Sequence, residues 1–136
     1  MGDIEDRLLL QDLMLSYAAA LDEKDMVLYR TCFADDVDVV GFGDTPIEGA
    51  DKWVASVESQ LKAFKSTQHL LSPQLAHING DTAVSRMDVQ AIHYLAEDPC
   101  TTFTLWGTYH TNFIRCGRDW KISRHELVTR GTRKEP

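Results

Sequence analysis

The chain of 136 residues has the length of a single domain, and its composition, 43% hydrophobic and 26% charged, is typical of a globular protein. Its formal net charge of −7 argues against nucleic acid or an anionic membrane as a partner, because both bind basic surfaces. Three scattered cysteines, with neither metal-ligand spacing nor an even number, indicate reduced thiols.

The acidic N-terminal run MGDIEDRLLLQD has no basic segment followed by an apolar one, so we expect no signal peptide. No apolar run approaches the roughly 20 residues that a membrane helix needs. We therefore expect a cytoplasmic protein that forms one domain over residues 1–136, with a flexible tail from about residue 130.

The first half of the chain predicts three helices. The first is indicated by apolar residues at helical spacing, Leu10, Leu13, Met14, Tyr17 and Leu21. It is interrupted by the charged run 22–25, in which Asp25 is the predicted N-cap of a short helix through Cys32. A strand over 36–42 follows. The third helix comes after Gly49, and its apolar stripe is Trp53, Val54, Val57, Leu61 and Phe64.

From Gln68 onward the pattern is that of strands, and Asn79-Gly80 predicts a hairpin. Residues 82–94 alternate, and one predicted face contains Ala83, Ser85, Met87, Val89, Ala91 and His93. Residues 101–115 form a second long strand, with Phe103, Leu105, Gly107, Tyr109 and Phe113 on one face. A last strand runs from Trp120 to about Thr129. Helices followed by an antiparallel meander predict an α+β fold, a cone-shaped curved antiparallel sheet packed on the N-terminal helices around an apolar pocket.

Phosphate-binding loops, nucleophile elbows and metal-ligand spacings are absent from the sequence, so we expect neither a cofactor nor a metal. Any chemistry must come from isolated acids and imidazoles that folding brings together. His93 ends an apolar strand face and is either a satisfied core histidine or a catalytic group. His69, beside Leu70 and Leu71, is either a half-buried strand residue or a group of the site.

Asp22 ends the first helix, and its simplest role is that of a solvated acid in a charged turn. A carboxylate at this position feels the negative end of the helix dipole, which predicts a raised pKa. Spacing alone does not choose between Asp22, Glu23 and Asp25 as the acid of a site.

Several segments together resemble the SnoaL-like domains of the nuclear transport factor 2-like superfamily. They are LLLQDLMLSYAAALDEKDMVLYRTCFADDVDV, IEGADKW, TQHLL, INGDTAVSRMDVQAIHY and GTYHTNFIRCGRDWKISR, which together extend from about Ile4 to Val128. Within the superfamily the chain is most similar to the branch that contains scytalone dehydratase, hexachlorocyclohexane dehydrochlorinase and bile-acid dehydratase. The superfamily contains both enzymes and binding modules, so the resemblance is specific for the fold and weak for the reaction.

The resemblance implies a dyad of Asp22 and His69, with His93 at the position of a further histidine of the dehydratase. Two positions depart from the pattern: Leu21 replaces the tyrosine before the aspartate, and His125 stands where the dehydrochlorinase has an arginine. The implied reaction is cofactor-free elimination, in which His69 removes a proton from carbon. His93, Tyr17 or Tyr109 would then protonate the departing oxygen. The expected substrate-binding residues are Met14, Tyr17, Val89, Ala91, Leu105, Tyr109, Phe113 and His125.

The expected function is therefore a lyase or isomerase acting on a small hydrophobic ring-bearing molecule. The alternatives are a non-catalytic binding module and an accessory subunit, like the small subunits of ring-hydroxylating dioxygenases. Self-association as a dimer or trimer is also expected. Its basis is Trp106, which lies on the outer strand face with Thr104, Thr108, His110 and Asn112 and would be exposed in a monomer.

Overall fold

A computed structural model describes residues 2–136. The helices are α1 (Gly2–Asp22), α2 (Met26–Thr31) and α3 (Ala50–Leu61). The strands are β1 (Phe33–Val40), β2 (Ile47–Glu48), β3 (Phe64–Leu71), β4 (Leu75–Asn79), β5 (Thr82–Leu95), β6 (Thr102–Cys116) and β7 (Asp119–Glu135). Among these residues no helix combines the length and the apolar character needed to cross a membrane.

The seven strands form one curved sheet in the order β2-β1-β7-β6-β5-β3, with β4 also paired to β5. The sheet does not close into a barrel, and the helices pack against it, so the predicted α+β architecture is confirmed. The strand pairs are antiparallel except that β1 runs parallel to β7. α1 packs chiefly against β3, and also against β7 and β4.

The apolar face of α1 is buried as its spacing predicts, with Leu10, Met14, Tyr17 and Leu21 at most 5% exposed. Near its start, the Asp6 carboxylate accepts hydrogen bonds from Arg115 at 3.0 and 2.9 Å and from the Trp120 indole at 3.1 Å. These contacts join the first turns of α1 to β6 and β7. The helix is therefore fixed at its beginning by charge and along its length by apolar packing.

The predicted local signals at two turns are present. The Asp25 side chain accepts from the backbone N–H of Leu28 at 3.0 Å, which caps α2. Gly80 turns the chain between β4 and β5 with φ +63°, a conformation that glycine adopts without strain.

Three predicted boundaries were wrong. The first strand covers Phe33–Val40 rather than 36–42, and Phe64 begins β3 rather than extending the stripe of α3, which ends at Leu61. The last strand continues to Glu135, with Arg133 paired to Thr104 and Lys134 to Phe103. The expected tail therefore belongs to the sheet. The sequence pattern did not predict this part of the strand, because most of its side chains are polar and exposed and it has no buried apolar face.

Gly41 is required where β1 leads into the loop that places Phe42 against Trp53, with ring centroids 4.9 Å apart. Its φ is +89°, and a Cβ atom there would overlap the carbonyl oxygen of Leu127. We expect Gly41→Ala to lower the free energy of unfolding by about 1–3 kcal/mol, measured by urea denaturation. Gly43→Ala, where an added Cβ meets nothing within 4 Å, is the matched control. Equal denaturation midpoints for both variants would contradict this assignment.

Candidate active site

An aspartate–histidine pair forms where the end of α1 meets β3. Asp22 Oδ1 lies 2.7 Å from His69 Nδ1 and accepts from the Thr67 hydroxyl at 3.0 Å. Asp22 Oδ2 accepts from the backbone N–H of His69 at 2.9 Å. Thr67 and His69 are two residues apart on a strand, so their side chains leave the same face and reach one carboxylate. Both oxygens of Asp22 are thereby fixed in place.

These hydrogen bonds keep the carboxylate of Asp22 ionised. Partial burial pushes its pKa upward, but the bonds from the His69 ring, the His69 N–H and the Thr67 hydroxyl outweigh burial and hold the pKa below its usual value. The expectation that the helix dipole raises the pKa of Asp22 was therefore wrong, because the hydrogen bonds to its carboxylate lower the pKa by more than the dipole raises it. The neighbouring acids have other places: Asp25 caps α2, and Glu23 is exposed.

The ionised carboxylate fixes the tautomer of His69. Because a carboxylate only accepts, Nδ1 carries the hydrogen, and Nε2 keeps its lone pair in the neutral ring. Within residues 2–136 Nε2 has no hydrogen-bond partner, and the side chain of His69 is 8% exposed. This arrangement leaves one ring nitrogen of His69 with an unused lone pair.

His69 lines a cavity of about 320 Å³ between α1, α3 and the concave face of the sheet. The polar lining residues are Tyr17, Tyr29, Gln60, His69, His93 and Tyr109. The apolar lining residues are Leu21, Phe42, Trp53, Val57, Leu61, Phe64, Ala91, Phe103, Leu105 and Leu127. A mainly apolar cavity with a few convergent polar groups is typical of a small-molecule site.

The family model of the SnoaL-like domain matches residues 2–126, which is nearly the whole chain. The chain belongs to the SnoaL-like domain family. The predicted family is thereby confirmed. No curated protein matches the chain with significance.

Solved structures agree with this SnoaL-like fold. A scytalone dehydratase-like protein from Novosphingobium aromaticivorans has a TM-score of 0.90 and 24% identity, over 100% of this chain and 93% of that one. Hexachlorocyclohexane dehydrochlorinase LinA-type3 from Novosphingobium barchaimii has a TM-score of 0.85 and 15% identity, over 98% and 92% of the two chains. At these identities the likeness shows the fold alone.

A third similar structure has a different provisional name, aromatic ring hydroxylase, and also comes from Novosphingobium aromaticivorans. Its TM-score is 0.88 and its identity 26%, over 97% of the SnoaL-like chain and 94% of its own. The same fold thus occurs under names of different reactions, so the reaction must be argued from the site.

His93 lies on the cavity wall of this SnoaL-like domain, with its ring centroid 6.1 Å from that of His69. Its Nδ1 donates to the carbonyl oxygen of Phe103 at 2.9 Å, so the free Nε2 of the neutral ring is an acceptor. Burial lowers the pKa of His93, although the Phe103 carbonyl opposes the shift. A neutral His93 accepts a hydrogen bond and has no proton to give at Nε2, which disfavours it as the acid.

The structure places the expected substrate-binding residues in two groups. Tyr17, Ala91, Leu105 and Tyr109 line the cavity. Met14, Val89, Phe113 and His125 do not line it and are buried within the protein. Residues on one strand face share a direction, but only some of them border the cavity.

Several lining residues of the SnoaL-like domain were missed in the sequence. Trp53, Val57 and Leu61 were recognised as the apolar stripe of α3, and Phe103 shares the strand face of Leu105, so the pattern contained a signal for these four. Tyr29 and Phe42 come from a short helix and a loop, where periodicity gives no signal.

Proposed function

We propose that this SnoaL-like domain is a cofactor-independent lyase or isomerase that eliminates a leaving group from a small hydrophobic ring-bearing molecule. The observation that supports the proposal is the 2.7 Å contact between Asp22 Oδ1 and His69 Nδ1 beside the cavity. It leaves Nε2 of His69 as a general base, oriented by an ionised carboxylate.

In the proposed reaction, Nε2 of His69 takes a proton from a substrate carbon. The electron pair of that C–H bond forms the new double bond, and the bond from the adjacent carbon to the leaving oxygen or halide breaks. Asp22 stabilises the imidazolium that forms, and the imidazolium returns its proton to the leaving group, so that water or hydrogen halide is released. The apolar wall formed by residues such as Leu61, Phe64 and Leu105 limits the access of water to the base.

A panel of substrates tests the proposal. It contains two-ring compounds with hydroxyl or chloride β to a carbonyl and chlorinated cyclohexanes without a carbonyl, and the new double bond is followed by absorbance and mass spectrometry. We expect at least one class to be eliminated by the wild-type protein and not by His69→Gln. Tight binding of panel members without turnover would contradict the elimination and support a binding module. Activity appearing only in a complex from native extract would support an accessory subunit.

Self-association through the outer sheet face is part of the proposal. Trp106 is 37% exposed there, and Leu70 on β3 and Tyr94 on β5 are 51% and 40% exposed, whereas Thr108 of the same face as Trp106 is fully buried within one chain. We expect sedimentation velocity at micromolar concentration to show a dimer or trimer, and Trp106→Ser to shift it toward monomer. Val27→Ser, at an 81% exposed position on α2, is the matched control. A wild-type protein that sediments strictly as a monomer would contradict the prediction.

The remaining expectations stay predictions. They are a cytoplasmic location, the absence of nucleic-acid and membrane partners, and catalysis without metal or cofactor. The net charge of −7 supports the second of these, because anionic partners would be repelled.

A further inference from the structure

A second cavity adjoins the one that His69 lines, and Phe42 stands between them. The second cavity has a volume of about 160 Å³ and is bounded by β1, β2, α3 and the loop that follows Gly41. Phe42, Trp53 and Gln60 line both cavities. We call the larger one the main cavity and the smaller one the side pocket. The two are therefore neighbouring compartments that share a wall.

The three shared residues contribute differently to this wall. Trp53 is 2% exposed and belongs to the core, and its indole N–H donates to the Tyr29 hydroxyl at 3.0 Å. Gln60 is exposed and lies at the rim. Phe42 is half-buried, and its ring packs on the rings of Trp53 and Tyr109, with centroids 4.9 and 6.1 Å away. The Phe42 ring is therefore the part of the wall that a loop, and not the core, inserts between the cavities.

The Phe42 ring is held in this position from the side of the core. The preceding Gly41 lies so close to β7 that an added Cβ atom would overlap the carbonyl oxygen of Leu127. The ring centroid of His125 is 5.3 Å from that of Phe42. On the other side of Phe42, Gly43 is exposed, and an added Cβ atom there meets nothing within 4 Å. The partition is thus fixed at one end and open to solvent at the other.

The two compartments differ in size and chemistry. The main cavity, at about 320 Å³, is near the lower end of the roughly 300–1,000 Å³ that is usual for ligand sites, and most of its lining is apolar. The side pocket combines apolar with polar side chains, and the polar ones are Asp44, Thr45, Ser56 and Gln60. A ligand that extended from the main cavity past Phe42 would place its far end among these polar groups.

We propose that Phe42 is a specificity-determining residue that limits the substrate to compounds of about two fused rings, and that the side pocket is a closed-off extension of the same site. This inference rests on the elimination proposed above and narrows its substrate class by length. A rigid ligand with more rings would overlap the Phe42 ring. Such a built-in clash excludes a longer compound even though its greater apolar area favours binding.

Two probes that differ in length test the limit. 6-Hydroxytetralin has the first two rings of estradiol, which adds two further rings and a distal hydroxyl group. Equilibrium dialysis measures both dissociation constants. We expect wild-type protein to bind 6-hydroxytetralin at least about tenfold more tightly than estradiol, against the order that apolar area alone predicts. Estradiol binding that is equally tight or tighter would overturn the proposal, and so would a wild-type protein that binds neither probe.

Removing the ring should open the partition. In Phe42→Ala we expect the affinity for estradiol, relative to that for 6-hydroxytetralin, to rise at least about tenfold. Adding Ser56→Phe should cancel this gain, because the new ring fills the side pocket. Adding Ser56→Ala is the matched control and should retain the gain, since it loses the same 3.0 Å hydrogen bond from Gln60 without adding bulk. A gain that survives Ser56→Phe would overturn the side pocket as the extension.

Ser56→Phe alone tests the partition in a protein that keeps Phe42. We expect unchanged affinity for 6-hydroxytetralin; a loss that Ser56→Ala does not share would overturn the partition. Thermal melting shows which variants fold. If Phe42→Ala does not, Phe42→Leu replaces it, and an unchanged ratio of affinities in the folded variant overturns the role of Phe42. If neither folds, the wild-type ratio and Ser56→Phe decide. No turnover is needed, so a failed elimination assay with an intact length limit contradicts the elimination alone.

Discussion

His69→Gln is expected to lower kcat/KM for any compound that the wild-type protein eliminates by about 10²–10⁴-fold, the usual contribution of a positioned general base. Asp22→Asn should cause a loss of the same order, because an amide cannot fix His69 with the hydrogen on Nδ1 or stabilise the imidazolium. The losses should not add in the double variant, since the two groups act as one unit. Initial rates with a substrate from the panel measure all three values.

Thr67→Val is the matched control for the dyad. It removes the 3.0 Å hydrogen bond from the Thr67 hydroxyl to Asp22 Oδ1 while keeping both bonds between Asp22 and His69. We expect it to reduce turnover far less than either dyad variant. Thermal melting of every variant must show a folded protein, because loss of fold mimics loss of function. Wild-type rates in a folded His69→Gln protein would refute the base.

The second large effect is a loss of stability in mild acid, caused by His125. Burial lowers the pKa of His125 to about 3 in the folded protein, whereas an unfolded histidine titrates near about 6.5. Between these values the unfolded state binds the proton first, so stability is complete above about pH 6.5 and falls as the pH decreases toward 3. The limiting slope for one proton is about 1.4 kcal/mol per pH unit. From pH 6.5 to 4.5 we expect a loss of about 2 kcal/mol, because the limiting slope is reached only below the unfolded pKa.

Urea denaturation across this pH range measures the effect. The lowered pKa of His93 has the same sign and adds to the slope. The lowered pKa values of Asp6 and Asp22 affect stability only at lower pH. An unfolded aspartate titrates near about 3.9, so the stability that these two groups contribute is lost only as the pH falls through and below that value. His125→Gln should flatten the dependence above pH 4.5, and His77→Gln, at an exposed histidine, should leave it unchanged. A His125→Gln protein with the wild-type slope would contradict the assignment.

The fold was predictable because its signals are periodic. Helical spacing in α1 and alternation in β5 and β6 identify the faces that are buried, and the resemblance supplied the family. The pairing of Asp22 with His69 was implied by the resemblance only. Spacing did not separate Asp22 from Glu23 and Asp25, because the direction of side chains in the last turn of α1 depends on how the helix docks on β3.

Depth within the fold was not predictable from alternation. Val89 and Ala91 share a strand face and are equally buried, yet only Ala91 lines the cavity. Which positions of β5 border the cavity depends on the helices and the loop that face the sheet, and the pattern of β5 does not contain them. His125 illustrates the same point, because its neutral, fully buried state depends on Tyr17 and Thr111 from two other elements.

The length of β7 has a practical consequence for protein engineering. Thr132 pairs with Leu105 and Lys134 with Phe103, so the last residues of the chain hold the segment of β6 that forms one wall of the cavity. Removing the polar C-terminal residues to aid crystallisation would remove the strand pairing that holds this segment of β6 in place. An affinity tag fused after Pro136 would begin beside it, whereas the N-terminal turns of α1 contribute no residue to the cavity lining.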